Sequence, residues 1–164
     1  MAKTHQLLAT QTLASNSSSI TFSNIPQNYQ ELQIVWTGKL TTSTLLYVIF
    51  NGDTFSNFYS YSFISTQNNN NRYANQDYTG HQLARCWFLG GDSNAIFMYI
   101  PGYSFYNSSS MTWGAELALA NLGFEYDAGM WRYGGAIKSI TFQAPGGSSI
   151  AANSVVSIYG VVTA

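Results

Sequence analysis

Seven acidic side chains are available for acid–base chemistry: Glu31, Asp53, Asp77, Asp92, Glu116, Glu125 and Asp127. A glycoside hydrolase needs two carboxylates facing each other across a cleft. Only Glu125 and Asp127, in FEYDAG, are close in sequence. On a strand they would share a face, but the pair reads first as a solvated loop edge. Asp53 lies in FNGDTFSNFYSY (50–61), an acid in a Gly turn followed by Phe55, Phe58, Tyr59, Tyr61 and Phe63. A calcium loop gathers several oxygen ligands, whereas the nearest acids to Asp53 in sequence are Glu31 and Asp77. Asn51-Gly52 is the preferred dipeptide of a type I′ turn, where both central residues take positive φ. Asp53 can then bond back to that turn. The stretch is expected to be a hairpin corner leading into an aromatic packing segment, with no metal or catalytic role. His5 and His81 are too few and too isolated for a metal triad. The lone Cys86, in ARCWFLG, allows no internal disulfide and reads as a small buried hydrophobe. No nucleophile elbow or phosphate-binding glycine loop appears. No catalytic residue, metal site or cofactor is assigned, and the chain is expected not to be an enzyme.

Strands must position whatever the chain displays. HQLLATQTL (5–13) alternates weakly, and SITFSNI (19–25) and ELQIVWTGKL (31–40) alternate apolar and polar residues at period two. The third puts Leu32, Ile34 and Trp36 on one face. LLYVIF (45–50) is an unbroken apolar run, suited to a strand covered on both faces. HQLARCWFLG (81–90) and NAIFMYIPG (94–102) flank GGDS, a hairpin signal. SSMTWGAELALANL (109–122), AGMWRYGG (128–135), AIKSITFQA (136–144) and NSVVSIYGVVTA (153–164) complete the set. Residues 55–66 and 114–122 have weak helical character. The Asn-rich STQNNNNRYANQD (65–77) holds too few apolar residues to drive burial and is expected to be an exposed loop. The sum is an all-β chain: a single β-sandwich of jelly-roll type over residues 1–164, with eight to ten short antiparallel strands. Residues 1–13 are either an extended arm over a neighbouring subunit or the first strand of the chain's own sandwich.

Only 8% of the 164 residues are charged and 16% are aromatic, with a net charge of −1. Soluble domains usually carry about 25% charged residues. Lys3, Lys39, Arg72, Arg85, Arg132 and Lys138 are scattered, with no cluster to neutralise phosphates, so no nucleic-acid partner is expected. No apolar run is long enough to span a membrane, and the N-terminal residues do not read as a secretory signal. A surface rich in Tyr, Trp, Ser, Thr, Asn and Gln suits contact with protein or with sugar. Trp36 and Trp87, at strand centres, are assigned to the core. Phe58, Tyr59, Tyr103, Tyr106, Trp131 and Tyr133 sit in or beside turns and are the interface candidates.

The order of SITFSNIPQNYQELQIVW, FNGDTFSNFYSY, IFMYIPGY and a closing NSVVSIYGVVTA resembles that of small β-sandwich virion proteins of tailed bacteriophages. These are capsid decoration, tail or fibre components. The shared features are a strand–I-P-x-x-Y–strand opening, an N-G-D turn with a downstream Tyr, and a last strand with S-x-Y-G. The resemblance implies a non-enzymatic decoration (cement) protein on the capsid surface, made in the host cytoplasm. It would bind the major capsid protein or other virion proteins, as a homotrimer. The alternative it carries is a tail or fibre domain binding host-surface glycans.

Overall fold

The computed structural model describes residues 4–42, 44–54, 59–67, 70–76, 86–88, 94–105, 111–119, 123–132 and 135–162, with side chains for 4–42, 44–54, 95–105, 128–132 and 135–162. Among them are twelve strands: β1 (His5–Thr12), β2 (Ser19–Phe22), β3 (Glu31–Gly38), β4 (Thr44–Phe50), β5 (Tyr59–Gln67), β6 (Asn70–Gln76), β7 (Cys86–Phe88), β8 (Asn94–Pro101), β9 (Met111–Leu119), β10 (Gly123–Trp131), β11 (Ile140–Gln143) and β12 (Val155–Val161). Eight of them pair as if the chain were folded in half. β1 pairs with β12, β2 with β11, β3 with β8 and β4 with β7, all antiparallel. β12 also joins β3, and β11 joins β4. The result is two sheets, β1-β12-β3-β8 and β2-β11-β4-β7, in the order of a jelly roll. The other four strands extend the first sheet beyond β8 in the order β9-β10-β5-β6. The expected fold class therefore holds, with two strand pairs inserted into the roll.

Period-two burial welds the sheets together. β3 turns Leu32, Ile34 and Trp36 inward, β8 turns Ile96, Met98 and Ile100, and β12 turns Val156 and Ile158. Facing them are Ile20, Phe22, Leu46, Val48, Phe50, Ile140 and Phe142. The Phe142 ring meets Trp36 edge-on at 5.8 Å and Phe22 edge-on at 6.4 Å, the favoured geometry for aromatic pairs. Trp36 is core, as expected; the Trp87 side chain lies outside those described. Ile49 is buried although its neighbours Val48 and Phe50 already point inward, so the end of LLYVIF is covered on both faces.

Local readings gave way to pairing in five places. The described residues of the Asn-rich stretch are strand, not loop: β5 runs to Gln67 and β6 covers Asn70–Gln76, paired from Tyr61↔Gln76 to Gln67↔Asn70. Ladder hydrogen bonds to β5 outweigh the low strand propensity of Asn, a scale spanning only about 1 kcal/mol. Residues of both weak helical candidates form strands, β5 and β9; β9 is held between β8 and β10. Glu125 and Asp127 are not on a loop edge but inside β10, between β9 and β5. The stretches flanking GGDS make no hairpin, because β7 and β8 belong to different sheets. FNGD is likewise a corner between sheets, since β4 and β5 do not pair. His5–Thr12, for its part, pairs with β12 as the first strand of the chain's own sheet.

Gly160 is fixed by contact with a neighbouring ring. A Cβ there would stand 2.4 Å from Cγ of Tyr29, whose hydroxyl donates to Gln6 Oε1 at 2.7 Å. Gly160→Ala is expected to cost about 1–3 kcal/mol through overpacking. Gly135→Ala, with open space around the added carbon, should stay within about 0.5 kcal/mol. Urea denaturation midpoints of the two variants check the contrast.

Candidate interaction surface

One end of the roll is closed by a corner built from the FNGD stretch. Asn51 and Gly52 have φ of 52° and 71°, and the Asp53 N–H donates to the Phe50 carbonyl at 2.9 Å. These are the marks of the expected type I′ turn. Asn51 Oδ1 accepts from the N–H groups of Lys138 and Ser139 at 2.7 and 3.0 Å, and its Nδ2 donates to the Ala136 carbonyl at 2.9 Å. Its side chain thereby ties the corner to the segment leading into β11. Asp53 is only 8% exposed, and Oδ2 accepts the Trp131 indole N–H at 2.8 Å. The indole lies 5.7 Å from the Phe50 ring. The acid that raised the question of metal binding thus satisfies a buried indole. Among the described residues no three or more His, Cys, Asp or Glu come together to hold a metal.

This geometry corrects two of the six interface candidates. Trp131 and Tyr103 are both fully buried, so neither ring is available to a partner. The Tyr103 hydroxyl donates to the Pro26 carbonyl, and its backbone carbonyl accepts from Ile137 N–H at 2.8 Å. Burial pushes the Tyr103 phenol above its ordinary value of 10.0, opposed in part by a hydrogen bond with the Tyr29 backbone. Nearness to a turn misled the assignment, because the turns at this end fold over the core. Gln27 shows the same closure, donating to the carbonyls of Ile25 and Ile137 at 2.8 and 2.9 Å. Tyr59 begins β5 opposite Trp131, with its side chain outside those described. Phe58, Tyr106 and Tyr133 lie outside the described residues.

Among the described residues, Phe105, just after β8, is 64% exposed, and the other exposed large apolar side chains, Leu7 and Phe97, lie on the outer face of β1-β12-β3-β8. The register sets out one row Leu7–Tyr159–Gln33–Tyr99 and a second Thr10–Ser157–Val35–Phe97. Leu7 is 51% exposed and Phe97 46%; Tyr99, Tyr159, Val35 and Gln33 are half-buried. With strands about 4.8 Å apart, Tyr159 and Tyr99 stand about 10 Å from each other with an amide between them. Gln33 Nε2 donates to Glu31 Oε1 at 3.1 Å, and Thr10 and Ser157 share a hydroxyl bond of 2.9 Å. The two rows carry no formal charge. They offer flat apolar and aromatic area with hydroxyl and amide groups, which suits non-covalent contact. Sequence reading missed this face. Its signal was present in NAIFMYIPG, where Phe97 and Tyr99 take the positions alternating with Ile96, Met98 and Ile100.

No family model and no curated protein matches the chain. Among solved structures, that of infectious bursal disease virus, Gx strain, is 12% identical with a TM-score of 0.21; the match covers 96% of this chain and 42% of that one, so the chain spans less than half its length. An aerolysin-like protein of Bombina maxima is 7% identical with a TM-score of 0.12, covering 86% and 93% of the two chains. Likeness at this level carries no inference about fold or function.

Trp131→Ala is expected to lower folding stability by about 3–5 kcal/mol, the cost of truncating a buried aromatic, read as a drop in urea midpoint. Tyr103→Phe should cost about 1 kcal/mol at neutral pH through the lost hydrogen bond. Because the folded pKa is raised, the unfolded chain loses its Tyr103 proton first as pH climbs past 10. Stability attached to this group is therefore complete below the unfolded pKa and declines above it. The Phe variant should show a shallower alkaline loss than the parent, and equal slopes would refute the assignment.

Proposed function

We propose that this chain is a non-enzymatic structural protein of a tailed-phage virion, a decoration protein that binds the major capsid protein on the head surface. The outer face of β1-β12-β3-β8 is the observation that carries the proposal. A cement protein needs wide, low-charge contact area and no reaction centre. Rows of Leu7, Val35, Phe97, Tyr99 and Tyr159, interspersed with Ser, Thr and Gln, supply area of that kind. The jelly-roll order is in keeping with it, since that architecture hosts both viral capsid and lectin domains, although fold alone does not assign function. The bacteriophage setting and the homotrimer come from the resemblance in sequence order.

A second reading, a tail or fibre domain binding a host-surface glycan, is favoured by one detail. Gln33 stands between Tyr159 and Tyr99 in one row, and sugar rings stack on aromatics while amides bond their hydroxyls.

The two readings separate by experiment. The purified chain is mixed with DNA-emptied heads of the phage that encodes it, and bound copies are counted after pelleting. Hundreds of copies per head, lost in Phe97→Glu at unchanged folded stability, are expected. A handful of copies that follow the tail, or a shift in light scattering on adding host polysaccharide, would replace the decoration reading with the glycan one.

A further inference from the structure

The eight-stranded sheet ends on β1, and β1 is an unusual edge. Natural edges are guarded by shortness, charge, proline or a bulge. β2 and β7, at the edges of the smaller sheet, have four and three residues, and β6, the far edge of the larger sheet, carries Arg72. β1 runs for eight residues, HQLLATQT, without Asp, Glu, Lys, Arg or Pro. Its one guard is the register shift between Leu7 and Ala9, which hinders a regular strand. Side chains along it are largely exposed, Leu7 at 51%.

Register fixes which backbone groups are left over. Val162 N–H donates to the Thr4 carbonyl, and Leu13 N–H donates to the Ser154 carbonyl, both at 3.0 Å. Hydrogen bonding alternates along an antiparallel ladder. With the shift included, Thr4, Gln6, Ala9, Gln11 and Leu13 are therefore the residues bonded to β12. His5, Leu7, Thr10 and Thr12 direct their N–H and C=O groups away from it, and no described strand lies on that side. Along the chain these four residues are separated by steps of two, three and two.

We propose that β1 is a self-association edge, pairing antiparallel with β1 of a second copy of this chain across a two-fold axis. The two–three–two spacing selects that partner. It reads the same in reverse, so a reversed copy meets it residue for residue, with His5 opposite Thr12 and Leu7 opposite Thr10. A regular strand would meet it only by setting two residues against one at the irregularity. The absence of formal charge removes like-charge repulsion across the axis. Joining the edges also carries the Leu7–Tyr159 row onto the neighbouring copy and covers part of Leu7. The contact is isologous and links copies in pairs; it is distinct from the three-fold contact of the proposed homotrimer and would join one such trimer to another.

Sedimentation velocity of the full chain over a wide concentration range tests it. The expected result is a mass that rises with concentration, to a dimer from a monomeric chain or above the trimer from a trimeric one. Thr12→Pro removes an outward N–H but none of the bonds to β12, and the strand geometry of Gln11 is what proline demands of the residue before it. It should weaken pairing by about tenfold or more, whereas Thr12→Val, which keeps the N–H, should pair as the parent does. Leu7→Lys places a cation on each strand beside the axis and should also abolish the rise of mass with concentration, so the test survives if the proline variant folds poorly. Circular dichroism and the urea midpoint confirm that each variant is folded. A chain that stays monomeric throughout, or an assembly of any size unmoved by both Thr12→Pro and Leu7→Lys, overturns the proposal. Since no capsid enters the experiment, its failure would leave the decoration reading to its own test.

Discussion

The hydrogen bond from the Trp131 indole to the Asp53 carboxylate holds the position on which the larger sheet depends. Asp53 follows β4, the strand at which the chain leaves the smaller sheet. Trp131 ends β10, the strand that bonds both β9 and β5. Both inserted strand pairs are thus anchored to the roll close to one buried contact. Such a contact is stabilising only if every polar group in it is matched, because a buried carboxylate or indole N–H without a partner costs several kcal/mol. Asn51 does the adjoining work: its amide bonds both ways to the 136–139 segment, so the turn and the entry to β11 are fixed together. A tight turn, a buried acid and an indole form one unit, which explains why an Asp appears in an otherwise charge-poor aromatic stretch.

The roll itself was legible wherever a strand covered its own core with strict alternation. Leu32, Ile34 and Trp36 announced β3, and the short run SITF announced β2. The Asn51-Gly52 turn was also readable, since its chemistry is local. Partnership was not. FNGD and GGDS both look like hairpin loops, yet each connects strands assigned to different sheets, because a jelly roll pairs strands that are distant in sequence. Helical propensity in AELALANL gave way to a two-sided ladder. The period-two set Met111, Trp113, Ala115, Leu117 and Leu119 was in the sequence all along.

Residues beside Gly, Asn and Ser turns need not face solvent. Tyr103 and Trp131, both fully buried beside turns, show why. In a two-layer sandwich the turns at an end must cover the open edge of the core, and a large ring with a polar tip is well suited to that position. The ring fills the gap between layers, while the hydroxyl or indole N–H reaches a backbone carbonyl or a carboxylate at the rim. Buried aromatics of this kind carry a donor to the closing loops, as Tyr103 does to Pro26.

Exposure instead follows register. Ile96, Met98 and Ile100 are consumed by the core, so Phe97 and Tyr99 must take the other face of the same strand whatever their hydrophobicity. The same parity sends Tyr159 outward beside Gly160, whose missing side chain leaves room for the Tyr29 ring. An aromatic outer face is therefore a choice of sequence at positions the fold leaves free, since Ser or Thr would serve the ladder equally well there, as Ser157 and Thr37 do on neighbouring positions. Residues released from core duty yet kept apolar are the ones most informative about contact. Leu7, Val35, Phe97, Tyr99 and Tyr159 are of this kind, and they lie on the four strands that end in the uncharged β1 edge.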